Sequence, residues 1–137
     1  MTTFVDTAVV IYLLDDKSQH HEWSVEEFNK AKKSGPVIIP DIAYSELSVG
    51  LPSKEATDRA IAELALERFP CSDESLFRAG RAFKKYKEEN RGPKTNVLPD
   101  FLIGAQAASE KSPLLTNNEG DFVGYFPEIT LICPKKA

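Results

Sequence analysis

Soft metal-binding side chains are nearly absent from this sequence. Its two cysteines, Cys71 and Cys133, lie far apart and form no C-x-x-C, and its two histidines are the neighbours His20 and His21. That pattern excludes a recognisable zinc framework and points to reduced, partly buried thiols of a cytoplasmic protein. A membrane span is also missing. The N-terminal "MTTFVDTAVVIYLLDD" is apolar but short, lacks a basic start and carries acids at both ends of its hydrophobic run, so it reads as folded structure. Positive charge is not in excess either. With 17 Lys+Arg against 21 Asp+Glu, the formal net charge of −4 gives no global attraction to nucleic acid or to an anionic membrane. Any such binding has to be local.

What is present suits one α/β domain over residues 1–137. The chain is long enough, at 42% hydrophobic residues, to bury a real core. Short apolar strand candidates at Phe4 and Val5, "PVIIP", "SPLLT" and "ITLICP" alternate with helical segments. The helical segments are "TAVVIYLL", "HHEWSVEEFNKAKKSG" closed by Gly35, "IAYSELSVGL" with Asp41 as N-cap, "SKEATDRAIAELALERF", "SDESLFRAGRAFKKYKEEN" and a run starting near Asp100. In the fifth, Leu76, Ala79, Phe83 and Tyr86 recur at spacings of three and four. Continuous apolar strands separated by helices predict a mainly parallel central sheet covered on both faces, an α/β/α sandwich.

Four acids occupy comparable places in that scheme. Asp6 follows the first strand, Glu46 lies in the helix after the second, Asp100 opens a helix in "VLPDFLIGAQA", and Asp121 lies just beyond "LLT". The C-terminal ends of parallel strands share one edge, so acids from distant parts of the chain can meet there. Asp6, Asp100 and Asp121 each also suit a plain helix cap. Glu46 does not, because a helical wheel puts it near Ile42 and Val49 on the side expected to be apolar, where an unpaired carboxylate costs several kcal/mol. If the four converge, repulsion raises some of their pKa values and a divalent ion is the most direct compensation. Oxygen ligands without histidine or cysteine favour magnesium or manganese, and such a site suits metal-assisted phosphoryl chemistry.

The segments "FVDTAVVIYLL", "GPVIIPDIAYSELSVG", "VLPDFLIGAQA" and "LLTNNEGDF" together resemble the PIN domain, and within it the VapC-type toxins of toxin-antitoxin pairs. The resemblance covers essentially the whole chain. It implies that Asp6, Glu46 and Asp100 are the core metal-binding carboxylates, that Asp121 is the fourth acid, and that Thr116 helps order the cluster. Asn118 aligns with a frequent polar position of the same loop, and Asn117 stands where the family usually has arginine. The implied activity is that of a magnesium- or manganese-dependent endoribonuclease, in which metal-activated water leaves a 5′-phosphate and a 3′-hydroxyl. The implied partners are an RNA substrate, a cognate antitoxin lying over the acidic pocket, and a second copy of the chain in a homodimer.

RNA approaching an acidic pocket needs basic side chains at its rim. Lys84, Lys85, Lys87, Arg91 and Lys94, at the end of the long helix and in the loop before Asp100, are the candidates, although the three helical lysines also suit a solvated face. Trp23, Phe28 and Tyr44 read as core aromatics more than as base-stacking platforms, and His20 and His21 as plain surface residues. Two other readings stay open. A non-catalytic PIN module would bind RNA or protein. An aspartyl-phosphate phosphatase would use Asp6 as nucleophile, though Ala8 stands where such enzymes usually carry a second acid.

Overall fold

The computed structural model describes residues 1–90 and 97–134, apart from the side chains of Asn90 and Asp121. Strand β1 (Thr3–Val5) lies inside the sheet, pairing in parallel with β2 (Val37–Ile38) on one side and β3 (Leu114–Leu115) on the other, and β4 (Leu131–Ile132) adds in parallel to β3. Phe4, Val5, Val37, Leu114 and Leu115 are fully enclosed. Such burial on both faces explains why these strands read as unbroken apolar runs. The sheet order β2-β1-β3-β4 sends the chain outward from β1 to β2 and back to β3 on the opposite flank. The switch point between β1 and β3 is where a ligand crevice is expected in such a sheet.

Right-handed crossovers assign the helices to faces. α1 (Thr7–Leu14) and α2 (His21–Ser34), on the β1-to-β2 leg, pack on one another. On the return leg come α3 (Asp41–Val49), α4 (Lys54–Glu63), α5 (Asp73–Asn90) and α6 (Leu98–Ser109), and α7 (Gly120–Tyr125) precedes β4; α6 packs against α3, α5 and α7. Phe101 and the run from Ile103 to Ala108 are all buried. A helix enclosed nearly all round has to be apolar nearly all round. The long α5 is held to it by an aromatic cluster in which Tyr86 meets Phe101 edge-on, with ring centroids 5.8 Å apart, while Tyr125 of α7 contacts both rings.

Some sequence expectations need correction. The segment after Ser53 leaves the helix at Glu63: Ala65 turns at φ 50, Leu66 drops into the core, and Glu67 bridges to Ile38. The reason is an unpaired sheet edge, which accepts the Glu67 amide at the Val37 carbonyl (2.9 Å) and donates the Ile39 amide to Glu67 (2.9 Å). Asp41 is the first residue of α3, with Pro40 in the capping position, and its carboxylate pairs with Arg68 at 2.6 Å. On α5, Ala79 is core, whereas Leu76 is 46% exposed. Phe28 is buried, and Trp23 and Tyr44 pack partly buried against the core, as expected of them. No helix among the described residues is long and apolar enough to cross a membrane.

Candidate metal centre at the switch point

Asp6 leaves the end of β1 and occupies the N-cap position of α1, with φ −75 and ψ 151. Its side chain makes no capping hydrogen bond. Instead Oδ2 accepts the Thr116 hydroxyl at 2.7 Å, from the residue that follows β3. The backbone closes the same gap, since the Asp6 amide donates to the Leu115 carbonyl at 2.9 Å. Asp6 is 4% exposed and Thr116 is 0% exposed. Burial pushes the Asp6 carboxyl above its ordinary value and the charge of Glu46 adds to this, against the Thr116 hydroxyl and the Thr7 amide, which favour the ionised form.

Glu46 comes from α3, which meets α1 at the same edge. Its Oε1 accepts the Thr7 hydroxyl at 2.7 Å. The buried stripe of α3 is Ala43 and Leu47, and Val49 is 88% exposed, so Glu46 lies half-buried at the border of the apolar face and not within it. Thr7 escaped the sequence reading. Its signal was a hydroxyl directly after Asp6, in "VDT".

Asp100 is the third residue of α6, behind Leu98 and Pro99, with Val97 in the capping position. It is therefore not an N-cap. Proline suits the first turn of a helix because its missing N–H would have no intrahelical partner there, and a carboxylate in that turn interacts favourably with the helix dipole. Asp121 is the second residue of α7, and its side chain lies outside the described residues. Among the described residues no three His, Cys, Asp or Glu side chains form a group able to hold a metal ion. Asp6 and Glu46 are brought into electrostatic contact, and neither forms a salt bridge with a lysine or arginine among the described residues.

The loop after β3 is tied down from both ends. The Asn118 amide donates to the Thr116 hydroxyl oxygen at 3.0 Å, and Asn117 Nδ2 donates to Tyr12 Oη at 2.7 Å. Asn117 thus anchors the loop to α1. Nδ1–H of His21 donates to the Tyr12 carbonyl at 2.7 Å, a structural use of that imidazole. His20 is half-buried and lines a cavity beside the same loop. Lys84, Lys85 and Lys87 are exposed on α5. Lys85 lies over the Tyr125 ring at 5.8 Å and Lys87 over Phe83 at 5.6 Å. Arg91 and Lys94 lie outside the described residues.

Solved structures share this fold over nearly their whole length. VapBC2 from Rickettsia felis, bound to a promoter DNA fragment, superposes with a TM-score of 0.73 at 21% identity, covering 98% of this chain and 100% of the other. DNA-bound VapBC from Salmonella typhimurium gives 0.68 at 22% identity, covering 97% and 98%. A toxin-antitoxin complex from Klebsiella pneumoniae gives 0.64 at 22% identity, covering 98% and 99%. No curated protein matches the chain. The PIN domain family matches over residues 3–124, a span that contains β1, Asp6, Glu46, Asp100, Thr116 and Asp121. A parallel sheet with Asp6 at its switch point, and a family match over most of the sequence, lead to one statement: the chain belongs to the PIN domain family, whose members are generally nucleases.

Proposed function

We propose that this PIN domain is a magnesium- or manganese-dependent endoribonuclease and the toxin of a toxin-antitoxin pair. The observation that carries the reading is Asp6, a 4% exposed carboxylate next to the charge of Glu46 and without a lysine or arginine salt bridge among the described residues. A buried carboxylate beside a second, half-buried one is costly to ionise unless a cation joins them. The donors are all oxygen, which fits a hard divalent ion held by Asp6, Glu46 and Asp100, with Asp121 as the fourth acid. When bound, that ion supplies charge neutralisation at the phosphate and a more acidic water.

The chain's own groups prepare the site. Thr116 holds Asp6 in one orientation, Thr7 does the same for Glu46, and the packing of α6 fixes where Asp100 starts. RNA contacts are assigned to Lys84, Lys85, Lys87, Arg91, Lys94 and Asn118. The antitoxin partner is supported by the toxin-antitoxin complex among the structural matches. It would cover the acidic pocket of a homodimer in the cytoplasm.

Incubation with single-stranded RNA tests the reading. Cleavage is expected with magnesium or manganese, none in chelator, and none for Asp6→Asn, with 5′-phosphate and 3′-hydroxyl products. The second reading is a non-catalytic module that binds RNA or protein. RNA retained but uncut with either metal would establish that reading in place of the first.

A further inference from the structure

A half-open cavity of about 410 Å³ lies next to the acids, between the start of α2 and the loop joining β3 to α7. Its size falls in the range of small-ligand sites, about 300–1,000 Å³. His20, Asn117, Asn118, Glu119, Cys133 and Pro134 line it. The cavity is contiguous with the acidic centre through two hydrogen bonds, from the Asn118 amide to the Thr116 hydroxyl oxygen (3.0 Å) and from that hydroxyl to Asp6 (2.7 Å).

The lining is planar and rich in acceptors. The His20 ring is braced against Tyr12, with centroids 4.8 Å apart and planes tilted by 43°. Asn117 gives one N–H of its amide to Tyr12 Oη and keeps its amide oxygen as an acceptor. Glu119 occupies the N-cap position of α7 without a side-chain capping bond, and its exposed carboxylate is close enough to Cys133 to help raise that thiol's pKa, after burial. Among the described residues that line the cavity there is no lysine or arginine.

Acceptors around a flat ring call for a flat, neutral ligand with adjacent N–H donors. Unpaired RNA bases are bound by stacking on aromatic or histidine side chains and by hydrogen bonds to their edges. Guanine presents N1–H and N2–H₂ side by side. Adenine and cytosine present one amino group beside an acceptor, and uracil one N–H between two carbonyls that a carboxylate repels. Resting on the ribonuclease reading above, we propose that this cavity is a guanine subsite for the substrate RNA, with His20 stacking on the base and Glu119 and Asn117 accepting from its Watson–Crick edge.

The test is titration of the full chain with guanosine, inosine, adenosine, cytidine and uridine 5′-monophosphates in metal-free buffer, followed by calorimetry and by the His20 ring resonances. Guanosine monophosphate is expected to bind about tenfold more tightly than the inosine form, which lacks N2–H₂. Glu119→Gln should remove that margin and leave uridine monophosphate unaffected. His20→Ala should weaken all five about tenfold, and His20→Phe should restore them. Both positions border solvent, and unchanged thermal unfolding of the variants confirms that folding is intact. Equal binding of all nucleotides, or an order indifferent to Glu119→Gln, overturns the subsite. If wild type cuts RNA yet shows no guanine preference, the subsite falls and the nuclease stands. If guanosine monophosphate binds as described while no RNA is cut with either metal, the subsite stands and the nuclease falls.

Discussion

Asp6 has a carboxyl whose pKa burial holds above the ordinary 3.8, so the folded protein takes up a proton there more readily than the unfolded chain does. Its contribution to stability is therefore complete below the unfolded value and is lost as pH rises through the raised folded one. Asp6→Asn does not titrate. In metal-free buffer its stability advantage over wild type should open as pH rises and then level off, leaving it the more stable protein at neutral pH. Urea unfolding between about pH 3 and 8 measures this, and a pH-independent difference would contradict it. Thr116 is the counterpart. Thr116→Val removes the donor to Asp6 and the acceptor of the Asn118 amide, both at a fully enclosed position. The expected loss is about 1–3 kcal/mol. Thr116→Ser, which keeps the hydroxyl, should recover most of it.

At the scale of elements, α6 is tightly packed. A Cβ on Gly104 would come within 2.7 and 2.9 Å of the Phe126 ring and 3.0 Å of Phe122, both rings buried. Gly104→Ala gains helix propensity but overpacks that contact, for a net destabilisation of about 1–2 kcal/mol by denaturant unfolding. The same helix shows what could be read from sequence. Its apolar run and Pro99 marked it as a buried helix near Asp100, and "TAVVIYLL" corresponds residue for residue to α1. Asp6 at the exit of β1 was legible for the same reason, because an apolar strand and its exit leave a local pattern. Caps were not: residue type alone put Asp41 and Asp100 at helix starts, whereas Pro40 and Val97 occupy the capping positions. Thr7 on Glu46 and His20 beside the β3 loop were hidden because their partners lie on other elements. The early end of α4 depended on a free sheet edge, a tertiary fact with no local signature.

For the whole molecule, a formal charge of −4 leaves little long-range pull on RNA, so the ribonuclease reading requires Asp6 and Glu46 to be neutralised before a phosphate approaches. A ligand that binds only the folded state raises its stability, by about 2.7 kcal/mol at a hundred times its dissociation constant. Saturating manganese should accordingly raise the melting temperature of wild type on the order of 10 °C and that of Asp6→Asn far less. A scanning calorimeter decides the matter, and equal shifts would place the ion elsewhere.

The hydrogen bond between Thr116 and Asp6 joins residues 110 positions apart. A contact of such long range belongs to the late, slow part of folding, after local helices have formed. A chain still on the ribosome with only its first hundred residues released would hold Asp6, Glu46 and Asp100 but have no β3 to close over them. Under the nuclease reading, Asp6 therefore gains the hydroxyl that orients it only after a segment 110 positions further along the chain has docked.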